Sequence, residues 1–412
     1  MKNSQTILAT CYAINPYKGS EDAMGWNFVY QIARFRKVFV VTRENNKTHI
    51  EKYMKENPDP LYQNMNFLYF DLPYWMRFWK KGGRGALLYY YLWQRGIVSF
   101  VKKQKVEFDI AHNVNFHNDW TPSFLWKLKK PLVWGPVGHH PLIPKQYLKD
   151  YSRKYFLKDR LTWMVKNSFW KLSPSLKKTV QHSHHIWCMN SGVPDKLKLK
   201  LKKDQYSLYP SVASEDFYQK DEVAVKSDFT VISVGRFVPL KGFDLTIRSF
   251  ARFFALLSTG DQKNCKLVLV GTGEQKSFYQ SLIRKYRMQS FIEIIEWIDR
   301  KELMKLYEKA SVFLFPSHEG AGMVVPEALS FGLPVVCLEN EGPGEFITEK
   351  CGFTVPQQEY KQTVTELSND LLKLFSDKDL QHKMSIEARK HYLDRFSWER
   401  RGDHLNTIYN QI

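Results

Sequence analysis

The chain has 412 residues, of which 43% are hydrophobic, 15% aromatic and 25% charged; this is apolar mass for two domains of about 200 residues and excludes a peptide ligand, a lone small module or a disordered chain. The five cysteines (Cys11, Cys188, Cys265, Cys337, Cys351) are odd in number and scattered, without a C-x-x-C pair, so they indicate neither a disulfide framework nor a zinc site and fit a reducing cytosol. The net charge of +19 belongs to one half: Met1–Leu208 holds 35 Lys and Arg against 14 Asp and Glu, while Tyr209–Ile412 holds 26 against 28, an asymmetry expected of a half that meets nucleic acid or an anionic membrane face.

In chain order, Thr6–Ala13 predicts a strand, NPYKGSEDAMG a polar loop, Trp26–Arg36 a helix and Val38–Thr42 a second strand. Further strands are expected at Asn66–Phe70, Phe108–Ala111 and Pro131–Trp134. The run Lys196–Lys203 alternates charge with Leu as a surface strand or helix does. The same grammar restarts with strand Phe229–Val234, helix Phe243–Leu257, strand Lys266–Val270 and a helix from about Glu274, then strands at Phe291–Ile294, Val312–Phe315 and Pro334–Cys337. The fold class is therefore α/β, with two doubly wound domains in tandem and a boundary in Leu208–Asp228, where Pro, Ser and charge mix without periodicity. No run approaches the roughly 18 apolar residues of a spanning helix, and Met1–Thr10 lacks a signal-peptide stretch, so the chain is expected to be neither transmembrane nor secreted.

The strongest chemical signal is Phe315–Val336, FPSHEGAGMVVPEALSFGLPVV. A strand ends at Phe315, Gly320 and Gly322 let the chain turn closely, and Pro326 suits the first turn of a helix, so amides near Gly322–Val324 are free to meet phosphate. Glu319 and Glu327, eight positions apart, flank this turn, and paired sugar hydroxyls are natural partners for a carboxylate. The plain alternative is helix capping by Glu327 and a solvated Glu319. Upstream, Gly235, Arg236 and Lys241 sit in VGRFVPLKGFDL directly after a strand, where two cations suit a diphosphate, although a surface turn reads equally well. Gly271 and Gly273 (VGTG) follow the next strand and suggest close backbone approach to a ligand.

Taken in order, GRFVPLKG, VLVGTG and PSHEGAGMVVPEALSFGLPVV resemble the nucleotide-sugar half of glycosyltransferase family 4, with Glu319 and Glu327 in its E-x7-E pattern. GSEDAMGWNFVYQIAR and HNVNF…PSFLWKLKKPLVWGPVG are similar to a bacterial branch that assembles cell-surface polysaccharide, and FSWERRGDHLNTIY to the family's last helix, which returns to the first domain. The resemblance implies the GT-B arrangement, two Rossmann-like domains facing a cleft, with domains over 1–208 and 209–395 and a crossing helix over 396–412. It also implies a retaining reaction without a metal or other cofactor, from a UDP- or GDP-linked sugar. Arg236 and Lys241 would hold the diphosphate, with Gly235, Gly271, Gly273, Gly320, Gly322, Met323 and Val324 beside it. Glu327 would take the ribose and Glu319 the transferred sugar near its 3- and 4-hydroxyls. The base would stack near Glu296, Trp297 and Ile298, and Gly19 would approach the reacting phosphate.

The chain also departs from that pattern. Gly19 is followed by Ser20 and Glu21 rather than a second glycine, and the family's His-x-His becomes His112-Asn113-Val114, leaving His112 and His117 as acceptor-site candidates beside the ordinary reading of core or capping histidines. His139 and His140 stand where the branch has glycines, and His182, His184 and His185 lack spaced partner ligands for a metal.

Leu72–Arg95 and Tyr147–Lys178 interleave aromatic and basic residues, a composition shared by membrane interfaces, single-strand nucleic-acid binders and plain aromatic cores. Beside sugar-transfer motifs, it fits a lipid-linked glycan acceptor at the inner face of the plasma membrane, with no nucleic acid and with Trp75, Trp79, Trp163 and Trp170 as anchors. The rivals are a non-catalytic glycan- or nucleic-acid-binding protein on the same fold and a nucleotide-sugar epimerase.

Overall fold

A computed structural model describes residues 5–82, 85–199, 205–220, 223–224 and 226–412; the 200–203 part of the Lys/Leu alternation lies outside them. The chain forms two compact units: Met1–His139 with Leu161–Ser211 and Trp398–Ile412, and His140–Arg160 with Val212–Ser397.

In the first unit, seven parallel strands, β1 (Ile7–Cys11), β2 (Val38–Thr42), β3 (Met65–Tyr69), β4 (Ile110–Asn115), β5 (Leu132–Val137), β6 (His185–Cys188) and β7 (Tyr206–Leu208), run in the order β3-β2-β1-β4-β5-β6-β7. β1, β4, β5 and β6 are buried along their whole length, as expected for a parallel sheet between helices. The first helix begins at Glu21, five residues before the expected start, and buries Met24, Trp26, Phe28, Val29 and Ile32. The last helix, Trp398–Gln411, packs against it: the Trp398 and Phe28 rings meet edge-on at 5.5 Å and Arg34 reaches the Glu399 carbonyl at 3.3 Å.

In the second unit, β8 (Phe229–Val234), β9 (Cys265–Val270), β10 (Ile292–Ile295), β11 (Val312–Phe315), β12 (Val335–Glu339) and β13 (Gly352–Pro356) run in parallel in the order β10-β9-β8-β11-β12-β13. Strand order reverses between β8 and β11, which opens a crevice at their carboxyl ends. Helix Phe243–Ala255 supplies Phe243, Leu245, Ile247, Phe250 and Phe253 to the core on one face of the sheet.

The division departs from a simple break after residue 208 by two or three residues at Ser211 and Trp398 and, more substantially, in one segment. His140–Arg160 belongs to the second unit because its tyrosines are tied there: the Tyr151 hydroxyl donates to buried Asp244 at 2.6 Å, and the Tyr147 hydroxyl bonds Thr363 Oγ1 at 2.8 Å. The chain returns to the first unit within helix Arg153–Leu172. Among the described residues, no helix is long and apolar enough to cross a membrane.

Candidate functional site

The loops after β8 and β11 flank the point of reversal in the second sheet. A short 3-10 turn, Pro239–Lys241, ends at Gly242, whose left-handed φ of 66° only glycine takes cheaply; a Cβ there would also stand 2.0 Å from the Pro316 carbonyl oxygen. The two loops are stitched together by Ser317, whose hydroxyl donates to the Leu240 carbonyl at 3.2 Å and accepts from the Glu319 amide at 3.2 Å, and by the His318 amide, which donates to the same carbonyl at 2.9 Å. Asn340, after β12, donates to the Ser317 carbonyl at 2.7 Å while its side-chain oxygen accepts from the Gly342 and Gly344 amides. Held this way, Lys241 Nζ lies 2.7 Å from Glu319 Oε2, with the two side chains 13% and 15% exposed, and 5.2 Å above the Phe315 ring. Arg236, in the same loop as Lys241, is exposed.

The glycines that follow β8 and β9 bring these two loops together. A Cβ on Gly271, at φ 145°, would lie 1.9 Å from the Gly235 carbonyl oxygen, and one on Gly273 would lie 2.6 Å from the Phe237 carbonyl oxygen. Their lack of a side chain lets the two loops pack backbone on backbone beside Lys241. After β11, the Gly320 amide donates to His140 Nδ1 at 3.2 Å, Gly322 packs against Pro343, and Met323 precedes the seven-residue helix Val324–Ser330.

Glu327 lies in that helix and is buried, and burial raises its carboxyl above the usual carboxylate range against the opposing pull of Arg300. Arg300 Nη2 meets Glu327 Oε1 at 2.9 Å while its guanidinium lies 4.7 Å over the Phe217 ring. Because Arg300 opens the helix after β10, this pair brings the loop Glu296, Trp297 and Ile298 into the Glu327 neighbourhood. Glu296 pairs with Lys276, Ile298 packs on the core, and Trp297 is 82% exposed, an open aromatic face able to stack on a base. Arg300, Ser317 and Asn340 escaped the sequence reading, since an isolated Arg, Ser or Asn carries no spacing signal.

In the first unit, a Cβ built on Gly19 would meet no atom within 4 Å. His117, after β4, is buried with Nδ1 2.7 Å from Glu21 Oε2, and its Nε2 has no hydrogen-bond partner among the described residues. His112 departs from the site expectation. It points from the middle of β4 into the core, fully buried, with its ring nitrogens 2.6 Å from the Tyr409 hydroxyl and 2.6 Å from the Gly135 carbonyl, and burial lowers its pKa to about 4. It locks the last helix to the sheet. His139 is held by Asp119 at 2.8 Å. Of the three clustered histidines, His182 lies against the Trp126 ring at 5.2 Å, His184 accepts from the Leu132 amide and His185 bonds Ser207. Among the described residues, no group of three or more His, Cys, Asp or Glu could hold a metal ion, and the one D-x-D triplet of the sequence, Asp377-Lys378-Asp379, starts a helix with the Asp377 side chain capping the Leu380 amide at 2.8 Å.

Residues 214–391, which hold Arg236, Lys241, Glu296–Ile298, Glu319 and Glu327, match the family described as "Glycosyl transferases group 1". The chain is 27% identical over 273 residues to a probable sucrose-phosphate synthase of Thermosipho melanesiensis, covering 63% of this chain and 59% of that one. It is 27% identical over 199 residues to the capsular polysaccharide biosynthesis glycosyltransferase CapM of Staphylococcus aureus, covering 48% and 49%. The chain thus spans about half the length of the curated relatives it matches. Among solved structures it is similar to HepE of Anabaena in complex with UDP and glucose, with a TM-score of 0.63 at 14% identity over 99% of this chain and 100% of that one. At such identity the likeness is one of fold: two parallel-sheet α/β domains of the GT-B type.

Proposed function

We propose that this protein is a retaining, metal-independent glycosyltransferase that moves a sugar from a nucleoside-diphosphate donor to a lipid-linked surface glycan at the inner face of the plasma membrane. The observation that carries the reading is the Lys241–Glu319 pair, 2.7 Å apart at the β8/β11 reversal and inside the range matched by the group 1 family. A cation there meets the diphosphate, and the carboxylate beside it takes hydroxyls of the sugar attached to that diphosphate. As the bond from the anomeric carbon to the phosphate oxygen breaks, the diphosphate leaves with the electron pair, and Arg236 and Lys241 stabilise the charge that develops. The acceptor oxygen bonds the same carbon on the same face, and its proton passes to a phosphate oxygen. Glu327, fixed by Arg300, binds the ribose, and Trp297 offers its face to the base. His117, held by Glu21 in the first unit, is the histidine we assign to the acceptor.

The names of CapM, a capsular polysaccharide glycosyltransferase, and of HepE, solved with UDP and glucose, support the surface-glycan acceptor and the nucleotide-sugar donor. The basic first half, with 35 Lys and Arg against 14 Asp and Glu, supports an anionic surface as partner. Screening UDP- and GDP-sugars by thermal shift and then following donor hydrolysis tests the reading. Binding followed by hydrolysis or transfer is expected; binding without turnover would favour a non-catalytic glycan-binding protein, and interconversion of two nucleotide sugars would favour an epimerase.

A further inference from the structure

One helix of the first unit carries a group of exposed aliphatic side chains. Leu161, Met164, Val165 and Leu172 are all exposed, Leu172 by 74%, on the part of helix Arg153–Leu172 that belongs to this unit. At 3.6 residues per turn, these four fall within roughly 100° of arc, a strip along one side of the helix. The opposite side is committed to the fold: Trp163 and Trp170 meet each other at 5.3 Å and His139 at 5.9 and 5.2 Å, under the Lys196 ammonium. These two tryptophans are therefore half-buried packing residues and not free anchors. Trp79 likewise packs against Tyr89 and over Gly85, which leaves Trp75, 72% exposed, as the open tryptophan of the four.

The two flanks of the strip continue it in different ways. On one, Phe169 touches Trp120 at 5.2 Å and Tyr91 at 6.1 Å, and one turn before Tyr91, on helix Ala86–Gln104, Leu87 and Leu88 are exposed. On the other, Asn167 and Lys171 border a cleft whose rim also carries Lys177, Lys196 and Lys198, with Asp195 as its carboxylate. Neither Leu72–Arg95 nor Leu161–Lys178 contains an Asp or Glu, although the first holds five Lys and Arg and the second four Lys. An aliphatic strip between an aromatic flank and a lysine cleft, in segments free of carboxylates, matches the layered chemistry of an anionic bilayer surface: acyl chains beneath, phosphates above. A nucleic acid would use the lysines but gives no reason to expose Leu161, Met164 and Leu172 in one strip, because its bases stack on aromatic rings.

We propose that the first unit docks on anionic lipid through this face, with Leu161, Met164, Val165 and Leu172 entering the headgroup–acyl boundary and the lysines of the cleft against lipid phosphates. This inference rests on the lipid-linked acceptor reading and names the surface that would bring the enzyme to it.

The test is sedimentation of the full chain with vesicles of phosphatidylglycerol and phosphatidylcholine, or of phosphatidylcholine alone, at physiological salt. Wild type should bind the anionic vesicles at least tenfold better than the neutral ones. Leu161→Gln/Met164→Gln/Leu172→Gln, which alters only exposed positions, should lose at least tenfold, and Lys171→Glu/Lys177→Glu/Lys198→Glu a similar amount with a flatter salt dependence. Nucleoside-diphosphate affinity, measured by calorimetry, should be unchanged in both variants, which also reports that they are folded. Wild-type vesicle binding by the triple Gln variant, or tight single-stranded DNA binding with no vesicle binding, would overturn the docking face. An intact chain that transfers sugar yet ignores vesicles would sink the docking face alone, whereas vesicle binding without nucleotide binding would sink the donor reading and leave the face standing.

Discussion

The Lys241 ammonium and the Glu319 carboxylate meet at 2.7 Å across 78 residues of sequence, each largely shielded from water, at the place where the second sheet reverses its strand order. Neither side chain is free to relax into solvent. The pair is thus held in place before any ligand arrives, the preorganisation on which electrostatic catalysis depends.

A thermodynamic cycle built from Lys241→Met, Glu319→Gln and the double variant should show a stability coupling of about 1 kcal/mol, because each single change strands the other group partly buried. Both single variants should also lose at least a hundredfold in turnover. Additive stability effects measured by denaturant unfolding would mean the pair is not energetically real in solution.

Arg236 is exposed, so Arg236→Ala should leave the melting temperature within about 2 °C of wild type, as surface changes usually do. It should nevertheless reduce turnover about a hundredfold or more, the loss of about 3 kcal/mol of transition-state stabilisation. Near-normal turnover at saturating donor would remove Arg236 from the diphosphate site.

Arg300→Ala leaves Glu327 buried without its 2.9 Å partner, so its carboxyl should rise further and it should accept ribose hydroxyls less well. The expected result is at least tenfold weaker nucleoside-diphosphate binding in Arg300→Ala and in Glu327→Ala, read by calorimetry. Unchanged affinity in both would end the ribose assignment.

Acid should destabilise the fold through its buried histidines. Burial lowers His112 and His318 from 6.5 to about 4, so the unfolded chain takes up these protons first as pH falls. The stability they contribute is complete above pH 6.5 and is lost between 6.5 and 4, on the order of 3 kcal/mol for each fully buried ring. In His112→Gln, the drop in melting temperature from pH 7.5 to pH 5 should be smaller than in wild type; an equal drop would show that His112 does not titrate in this window.

Excess EDTA should leave activity intact, since Arg236 and Lys241 supply the phosphate-binding charge in the proposed site. Complete loss restored by magnesium or manganese would contradict this.

The alternation of hydrophobic strands with helical periodicity was enough to place ten of the parallel strands, among them Val38–Thr42, Phe229–Val234 and Val312–Phe315 with their observed bounds. That is because strands buried on both faces read as continuous apolar runs. The short β6 and β7, of four and three residues, and β13, with its glycine and threonine, carry too little apolar signal to stand out. The sequence also determined where the charge lies and that Arg236, Lys241 and Glu319 sit in loops after apolar strands and Glu327 in the helix that follows. Only tertiary structure decided which of these residues meet. Side-chain pairing across 78 or 27 residues depends on strand order, and strand order leaves no local mark in the chain. The same holds for His112, which is a core residue because Tyr409 of the last helix comes to lie against it, and for Trp163 and Trp170, turned inward by the pitch of their helix while Leu161, Met164, Val165 and Leu172 face out.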